Sequence, residues 1–522
     1  MQILGVLLRN LSKSRLLSFR QCPKRLWLEL HRPELKVDST AARASFQGGH
    51  ELGAVARRIY DPEGRGVLVD PQVEGYDEAL ARSRGLLSTP GIVFEAGAAA
   101  DGAVAFADIL VPIERDGRLG WHMVEVKSAG RVKDYHRDDA AIQAYVFRAA
   151  GVALDSIAVA RVDGRWVYPG DGRYEGLLVE EDLTGEAMAR APEVRTWIAQ
   201  AQGVAAQESE PAIRAGAHCN TPFACGFAQY CQGQEPRQRH PVSVLPRLAG
   251  KLRDYIDLQG IVELEEVPDA VLNPIQQRVK GCTLSGRPYF DAAAAAAALA
   301  PHPLPALFLD FEAIGPVVPI WKGTRPFQQV PFQFSLHRLG AAGVLEHESF
   351  LDLSGSEPSR ALADRLVAVG GTTEPVFVYN AGFERGVIED LARRFPALRK
   401  ALLAIADRLV DLLPITRKFY YHPAQAGSWS IKAVLPTVAP DLAYDALDGV
   451  KDGAHAQAAY AEAIRPETPP ERKAALEASL LAYCRLDTYA MVRLWKVFAA
   501  VPASRAPAST EIVQSRRAIR AP

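Results

Sequence analysis

The alternation of apolar and polar positions predicts a group of β-strands in the first part of the chain. Residues 91–113 contain two β-type runs that meet at Asp101-Gly102, a dipeptide typical of a tight turn between strands. Residues 120–130 predict a further strand. These segments therefore predict three strands in close succession.

A helix and a hairpin are predicted directly after these strands. Residues 134–151 have the apolar spacing of a helix and end on a glycine, which is a favourable helix C-cap. Residues 156–169 predict a hairpin that turns at Asp163-Gly164. Because strands and helices alternate throughout residues 1–235, we expect these residues to form an α/β domain.

The pattern changes between residues 236 and 304. Residues 233–250 are polar and rich in proline, which predicts a linker. Residues 252–279 predict two short helices around a turn at Gly260-Ile261. Two interpretations fit these helices: a small packing module, or an element similar to the helix-hairpin-helix motifs that hold a nucleic-acid backbone. Residues 292–305, rich in alanine and proline, predict a second linker.

Strands and helices alternate again in the last third of the chain. The predicted strands and a long final helix cover residues 306–313, 330–339, 375–380 and 474–495. This order predicts an α/β domain over residues 305–500. Residues 501–522 predict a disordered tail.

The composition is that of an ordinary soluble globular protein, with 48% hydrophobic and 23% charged residues. The net charge of −1 provides no overall basic field, so any surface for nucleic acid must be local. No apolar run reaches the roughly 18 residues of a membrane span, and the apolar stretch at the start is too short for a signal peptide. We therefore expect a cytoplasmic protein without a membrane partner.

Four of the six cysteines suggest a metal site. Cys219, Cys225 and Cys231 are crowded together, and Cys22 lies about 200 residues before them. In a reducing cytoplasm such a cluster indicates metal binding before disulfide bonding. Four thiolates suit either zinc or an iron–sulfur cluster, and the residues alone leave both open.

The predicted strands of the first domain carry three charged residues with the pattern of a metal-dependent hydrolase. Asp108 lies in one apolar strand, and Glu125 and Lys127 lie two apart on one face of the next. Asp108 and Glu125 could hold a divalent cation, while Lys127 could orient water and stabilise charge on a phosphate. The alternative interpretation is an ordinary ion pair on an exposed sheet face.

These residues together resemble the RecB-like PD-(D/E)XK nucleases over roughly residues 10–235. The resemblance implies a restriction-endonuclease-like core with Asp108, Glu125 and Lys127 as catalytic residues. It also implies that Cys22, Cys219, Cys225 and Cys231 hold a 4Fe-4S cluster, with zinc as the second choice.

The sequence departs from this family's pattern in two places. Gly53 occupies the position of a helix histidine ligand, so His50 is not assigned as a ligand. Ala141 occupies the glutamine position of the family's Gln-x-x-x-Tyr motif, and Gln143 follows two residues later, before Tyr145.

A second group of acidic residues is spread over the last predicted domain. Asp310 and Glu312 lie on one face of the strand at 306–313, where they could share divalent cations. Glu384 lies in the first turn of the helix that follows Asn380. Asp487 lies one helical turn after Tyr483, which could orient or deprotonate the attacking water.

This order resembles the tyrosine subclass of the DEDD exonucleases over about residues 305–497. The resemblance implies an RNase H-like mixed sheet with flanking helices, in which Mg²⁺ or Mn²⁺ is held by Asp310, Glu312, Glu384 and Asp487. The family normally has aspartate at the position of Glu384. The two domains in this order are similar to a group of bacterial fusion proteins described only as nucleases of uncharacterised role.

The sequence therefore predicts an α/β multidomain, metal-dependent nuclease. Its C-terminal site would act 3′→5′ on single-stranded ends, with DNA favoured and RNA as the alternative, in DNA repair or the processing of foreign DNA. The competing hypothesis is a nucleic-acid-binding adaptor in which one or both sites are inactive.

Overall fold

The computed structural model describes residues 10–236, 238–442, 444, 447 and 449–499. The predicted disordered tail at 501–522 lies outside these residues. The described residues form two compact units. The first contains the residues before Gln238 together with Ile314–Gln329, and the second contains Gln238–Ala313 and the residues from Val330 onwards.

The first unit combines a seven-stranded sheet with helices. Its strands are β1 (Leu11–Ser12), β2 (Val67–Leu68), β3 (Val93–Ala100), β4 (Ala103–Arg115), β5 (Arg118–Lys127), β6 (Leu154–Val162) and β7 (Leu178–Asp182). Its helices are α1 (Lys13–Gln21), α2 (Pro23–His31), α3 (Thr40–Tyr60), α4 (Pro71–Glu74), α5 (Tyr76–Leu86), α6 (Asp134–Ala149), α7 (Thr184–Ala189), α8 (Ala191–Ala205) and α9 (Ala228–Gln234).

The strand order is β2-β3-β4-β5-β6-β7, and β1 pairs with β4. Strands β3, β4 and β5 form an antiparallel meander, whereas β5 and β6 are parallel. A parallel pair needs a crossover connection, and α6 provides it. Its small buried residues Ala140 and Ala144 share one core cluster with Ala105 and Ala107 of β4. This close packing brings α6 next to the strands that carry the predicted catalytic residues.

The strands and the helix predicted between residues 91 and 151 are confirmed. The predicted turn at Asp101-Gly102 joins β3 to β4, and α6 lies where the helical pattern placed it. The hairpin at Asp163-Gly164 is wrong, because the residues after the turn do not return to the sheet as a strand. Instead Trp166 donates a hydrogen bond from Nε1 to the carbonyl of Glu175 (3.0 Å), and β7 takes the place beside β6.

The second unit contains a five-stranded sheet and a two-stranded sheet. Its strands are β8 (Tyr289–Phe290), β9 (Ala306–Ile314), β10 (Val330–Leu339), β11 (Leu345–Leu351), β12 (Val376–Val378), β13 (Leu409–Asp411) and β14 (Tyr420–Tyr421). Its helices are α10 (Gly250–Gln259), α11 (Pro274–Ser285), α12 (Ala292–Leu299), α13 (Ser359–Val369), α14 (Ala381–Arg394), α15 (Arg399–Ala406), α16 (Leu412–Phe419), α17 (Ile431–Val438), α18 (Gly453–Ala463) and α19 (Pro470–Phe498).

Strand β9 is the centre of the larger sheet, whose order is β11-β10-β9-β12-β13. The sheet is mixed, since β10 and β11 are antiparallel while β12 is parallel to both β9 and β13. Alternation along β9 separates two cores. Phe308 packs with Trp495 of α19 on one face, and Leu307 and Leu309 pack with Ile388 of α14 on the other. Asp310 and Glu312 continue the even-numbered face and so point towards α19.

Two predictions between residues 236 and 304 are wrong in detail. Helix α10 ends as predicted at Gly260, which has the left-handed φ of 65° that glycine tolerates, but the second helix starts only at Pro274. Asn273 fixes that start by accepting hydrogen bonds from the N–H groups of the first turn. The alanine-rich segment is helix α12 and not a linker, because its Leu299 is buried in the second unit's core.

Residues Ile314–Gln329 interrupt the expected C-terminal domain, since they belong to the first unit. Val318 of this segment is buried in a core cluster with Leu52, Val55 and Val162. The residues between 238 and 304 belong to the second unit and do not form a separate body. Among the described residues, no helix is long and apolar enough to cross a membrane.

A buried histidine network joins the sheet of the second unit to α19 and makes its stability depend on pH. His337 Nδ1 lies 2.8 Å from Thr488 Oγ1, and Ser335 Oγ lies 2.7 Å from the same hydroxyl and 2.9 Å from His347 Nε2. Burial, together with the neighbouring cationic groups, lowers the pKa of His337 to about 3 and that of His347 to about 4.

We expect the free energy of unfolding to fall as the pH drops below about 6.5, the pKa of a histidine in the unfolded chain. The unfolded state takes up the proton first, so His337 alone costs about 2 kcal/mol at pH 5 relative to pH 7. His337→Asn, which keeps a polar group near Thr488, should reduce this loss. Thermal unfolding followed between pH 7 and pH 5 measures it.

The exposed residue His50 provides the matched control. His50→Asn should unfold with the pH profile of the wild-type protein. Parallel pH profiles for wild type and His337→Asn would show that this histidine does not contribute to the acid sensitivity.

Candidate functional site

Three carboxyl groups meet between β9 and α19. Asp310, Glu312 and Asp487 each provide an oxygen, and these oxygens all lie within 4.8 Å of one another. Within the described part of the chain, no other group of three histidine, cysteine, aspartate or glutamate side chains is this close. Hard oxygen ligands of this kind suit Mg²⁺ or Mn²⁺.

These carboxyl groups repel one another in a buried environment. Burial, and next the neighbouring carboxylates with Asp487 first, raise the pKa of Asp310 well above its usual value. Burial and Asp487 raise the pKa of Glu312 to about 8. Burial also raises the pKa of Asp487, to about 6. A divalent cation would relieve this repulsion, so the donor set fits a metal ion.

Glu384 lies near this group but outside its closest cluster. It is buried in the first turn of α14, and its Oε2 has no hydrogen-bond partner among the described residues. Burial raises the pKa of Glu384 to about 8, and its charge contributes to the raised pKa of Asp310. A buried carboxyl oxygen without a partner is a natural additional ligand for a cation beside Asp310.

The helix α14 is placed by its first residues. Asn380 adopts a left-handed conformation with φ 83°, and its N–H donates to Asp411 Oδ1 (3.0 Å). The N–H of Ala381 donates to Asp411 Oδ2 (3.0 Å), and the N–H of Leu413 also donates to this carboxylate (2.9 Å). Asp411 therefore ties the starts of α14 and α16 together and fixes where Glu384 lies.

Two residues outside the predicted site fix Asp487 and Tyr483. Tyr444 Oη donates to Asp487 Oδ1 (2.5 Å). The ammonium of Lys432 lies 4.8 Å from the ring centre of Tyr483 and 5.3 Å from that of Tyr444. Lys432 is also the cation that lowers the pKa of Glu312 and Asp487 against the effect of burial. Only the fold brings Tyr444 here, since no periodic pattern links it to α19.

Tyr483 is buried and its pKa is raised far above the usual value by burial and then by Asp487. Its hydroxyl group is therefore protonated at neutral pH and can donate a hydrogen bond. The next residue, Cys484, donates its S–H towards Asp310 Oδ2 (3.8 Å). Its spacing of three from Asp487 on one helix face is a signal that could have indicated this position.

The predicted catalytic residues of the first unit are also brought together. The N–H of Val126 donates to Asp108 Oδ2 (2.7 Å). Glu125 Oε1 accepts from both Lys127 Nζ and Lys13 Nζ, each at 2.7 Å. Burial and then Asp108 raise the pKa of Glu125 to about 7.

Helix α6 completes this site with two residues that lie four apart on one face. Gln143 donates from Nε2 to Glu125 Oε2 (2.8 Å) and to Asp139 Oδ1 (3.1 Å), and Asp139 also forms an ion pair with Lys127. Although burial opposes it, Lys127 and Lys13 lower the pKa of Asp139 below its usual value. Both oxygens of Glu125 are therefore occupied by donors of the chain itself.

These partners are only partly evident from the sequence. Gln143, displaced from the family motif, does reach the site, whereas Tyr145 donates to Asp101 at the β3–β4 turn. Lys13 precedes Glu125 by 112 residues, so no spacing rule reveals their hydrogen bond. Glu95 was missed too: it has a positive φ of 54°, and its charge raises the pKa of Asp108 after burial has done so.

The four predicted cysteine ligands line one small cavity: Cys22, Cys219, Cys225 and Cys231. Lys24 and Arg25 also line the cavity, and their backbone N–H groups donate to the Cys22 thiol. Burial raises the pKa of Cys231 to about 11, so a metal group would have to displace its proton. Four thiols with surrounding N–H donors and cations fit an anionic metal–sulfur group.

We expect Mn²⁺ to stabilise the protein through the three carboxyl groups of the second unit. At a Mn²⁺ concentration of 100 times the Kd, linkage gives about 2.7 kcal/mol. Asp487→Asn should abolish this gain and should raise the Tm of the metal-free protein, because it removes one of three repelling groups. Thermal unfolding with EDTA and with Mn²⁺ measures both effects.

Glu477 lies exposed on the same helix and provides the control. Glu477→Gln should respond to Mn²⁺ like the wild-type protein. An unchanged response in Asp487→Asn would mean that Mn²⁺ binds elsewhere.

The cysteine cavity should hold iron in protein purified without oxygen. Cys225→Ser should lose iron and the visible absorption of an iron–sulfur cluster, whereas Cys282→Ser, which changes a buried cysteine of the other unit, should keep both. Elemental analysis with absorption spectroscopy measures this. A colourless protein that contains zinc in place of iron would contradict the cluster.

Part of the chain matches a known protein family. Residues 307–430 match the family described as a domain of unknown function (DUF2779). The matched segment includes Asp310, Glu312 and Glu384 and ends before Tyr483 and Asp487. No curated protein matches the chain. The chain is thus similar to this domain over its central acidic segment.

Proposed function

We propose that the second unit is a metal-dependent exonuclease that hydrolyses phosphodiester bonds at single-stranded 3′ ends, with DNA favoured over RNA. The observation that carries this proposal is the close group of Asp310, Glu312 and Asp487, with the unpartnered oxygen of Glu384 nearby. The mixed sheet with flanking helices supports an RNase H-like fold for this unit.

The proposed reaction forms a bond between the oxygen of a water molecule and phosphorus and breaks the bond between phosphorus and the 3′ oxygen. The 3′ oxygen leaves as a hydroxyl group with one proton of the water, and the released nucleotide keeps a 5′ phosphate. A divalent cation held by Asp310, Glu312 and Asp487 would lower the pKa of water and offset charge on the phosphate. Tyr483, as a protonated donor, orients the water through its hydroxyl group. Tyr444 holds Asp487 in place during this step.

We propose a second, weaker nuclease site in the first unit, on a RecB-like PD-(D/E)XK core. The cluster bound by the four cysteines would join the two ends of this core. Activity at this site requires that a cation compete with Lys13, Lys127 and Gln143 for Glu125. This observation favours the second unit as the main site of activity. It also favours, for the first unit alone, the second candidate function of an inactive nucleic-acid-binding domain.

The nuclease proposal predicts metal-dependent shortening of single strands. With Mn²⁺, a 5′-labelled strand should give a ladder that shortens from its 3′ end, and a 3′-labelled strand should release labelled mononucleotide first. Asp310→Asn should reduce the rate more than roughly 100-fold. Loss of a residue that only supports a metal ligand costs up to roughly 100-fold, and Asp310 is proposed to be a ligand itself. Gel analysis of DNA and RNA strands measures the rates.

Glu125→Gln separates the two sites, because it alters only the first unit. It should leave the ladder within about twofold of the wild-type rate. If Glu125→Gln removes the activity and Asp310→Asn does not, the assignment to the second unit is wrong. If neither DNA nor RNA is cleaved by the wild-type protein with Mg²⁺ or Mn²⁺, the adaptor hypothesis replaces the nuclease.

A further inference from the structure

A cleft of about 970 Å³ lies in the second unit beside the start of α14. One wall is made by the segments around α11 and the other by the starts of α14 and α17 and by one face of α16. The lining includes two arginines, two aromatic side chains, one asparagine and one isoleucine: Arg247, Arg417, Tyr379, Trp429, Asn380 and Ile275. The volume is within the range of pockets that bind small ligands or short polymer segments.

The two walls are held together by close backbone contact. Gly427 has a positive φ of 81°, and a Cβ placed on it would meet the carbonyl oxygen of Val244 at 1.8 Å. Only glycine permits this approach. Gln276 donates from Nε2 to the carbonyl of Pro246 (3.0 Å), which fixes α11 against the same segment. The cleft is therefore shaped before any ligand enters.

The charge of the cleft is positive. Arg247 and Arg417 line it, and no lining residue is acidic. No carboxylate of the described residues lies within 4.0 Å of either guanidinium, although the chain forms many such ion pairs elsewhere. Two arginines that face a cleft without an internal partner are matched to an anion.

The helix ends at the walls add to this positive character. Helices α11 and α17 begin at the cleft with Asn273 and Ser430. These neutral side chains accept from first-turn N–H groups, so the two helix ends contribute the positive field of their dipoles more than free donors. The start of α14 contributes less, because Asp411 already accepts from the N–H groups of Asn380 and Ala381. The favoured ligand therefore carries more than one negative charge along its length.

The cleft also has an apolar component. Ile275 is 37% exposed and Tyr379 is half-buried, whereas Trp429 is buried and forms the wall behind them. Tyr379 Oη donates to the carbonyl of Trp429 (2.6 Å), which fixes the tyrosine against this wall. A surface that combines arginines with exposed apolar side chains matches a strand that carries both phosphates and bases.

The cleft adjoins the first turn of α14, the helix that carries Glu384. Asn380 lines the cleft, and Glu384 follows four residues later, which is about 6 Å along a helix at 1.5 Å per residue. We propose that the cleft binds the phosphate backbone of single-stranded nucleic acid and holds the strand whose end lies at Asp310, Glu312 and Asp487. This inference rests on the proposed nuclease function and assigns a role to the segment around α11.

The test measures binding without cleavage. Anisotropy of a labelled oligothymidylate is recorded in EDTA with the full chain carrying Arg247→Gln, Arg417→Gln or both. Each substitution should weaken binding about 10-fold, as removal of one charge-assisted hydrogen bond does. The slope of log K against log salt should fall by about 0.7 for each phosphate that the variant no longer neutralises.

Arg399 provides the matched control, because it is exposed on α15 in the same unit and does not line the cleft. Arg399→Gln should bind with wild-type affinity and salt slope. Because all three arginines are solvent-accessible, the variants should keep the wild-type Tm, which verifies that they fold.

Failure of this inference differs from failure of the nuclease proposal. Asp310→Asn should bind the oligonucleotide at least as tightly as wild type, because it removes an acidic group near the strand end, while it loses cleavage. If both arginine variants bind the oligonucleotide with wild-type affinity and salt slope, the cleft does not bind the strand and the inference is wrong, even if cleavage is observed. If the arginine variants lose binding but the wild-type protein cleaves nothing, the cleft does bind nucleic acid. The nuclease proposal then fails, and the protein is a nucleic-acid-binding adaptor.

Discussion

The repulsion between Asp310, Glu312 and Asp487 is the constraint on which the second unit's arrangement depends. Three carboxyl groups are placed in a buried setting where each raises the ionisation cost of the others. The surrounding elements reduce this cost only in part, through the hydroxyl of Tyr444 and the ammonium of Lys432. Such a group is stable at neutral pH when protons are retained or when a cation is taken from solution.

The first unit meets the same constraint with its own cations. Lys13 and Lys127 neutralise Glu125 and Asp139, and Gln143 completes the hydrogen bonds. This arrangement is closed, whereas that of the second unit is open to an added charge. The contrast explains why two sites with similar residue types can differ in how readily they accept a metal ion.

Local periodicity allowed many of the strands, helices and site residues to be predicted from the sequence. The alternation in β9 and the four-residue spacing of Tyr483 and Asp487 predicted which side chains share a face, and the α/β classes and most strands followed from the same rule. The missed residues depend on tertiary contacts. Lys13 reaches Glu125 across 112 positions, and Tyr444 approaches Asp487 from a segment without a periodic pattern. The predicted hairpin at Asp163-Gly164 was wrong for a related reason. The chain does turn there, but the residues that follow pack in a loop, where Trp166 stacks on Tyr174, and do not join the sheet.

The segment Ile314–Gln329 has a consequence for the order of assembly. It follows β9 in the chain, yet Val318 packs into the core of the first unit. During synthesis, that core can therefore be completed only after the ribosome has passed through the whole of β9 and residue 329. Part of the first unit's core therefore stays exposed to solvent while the strand that carries Asp310 and Glu312 is synthesised. The two units are thus linked in biogenesis by the path of one chain.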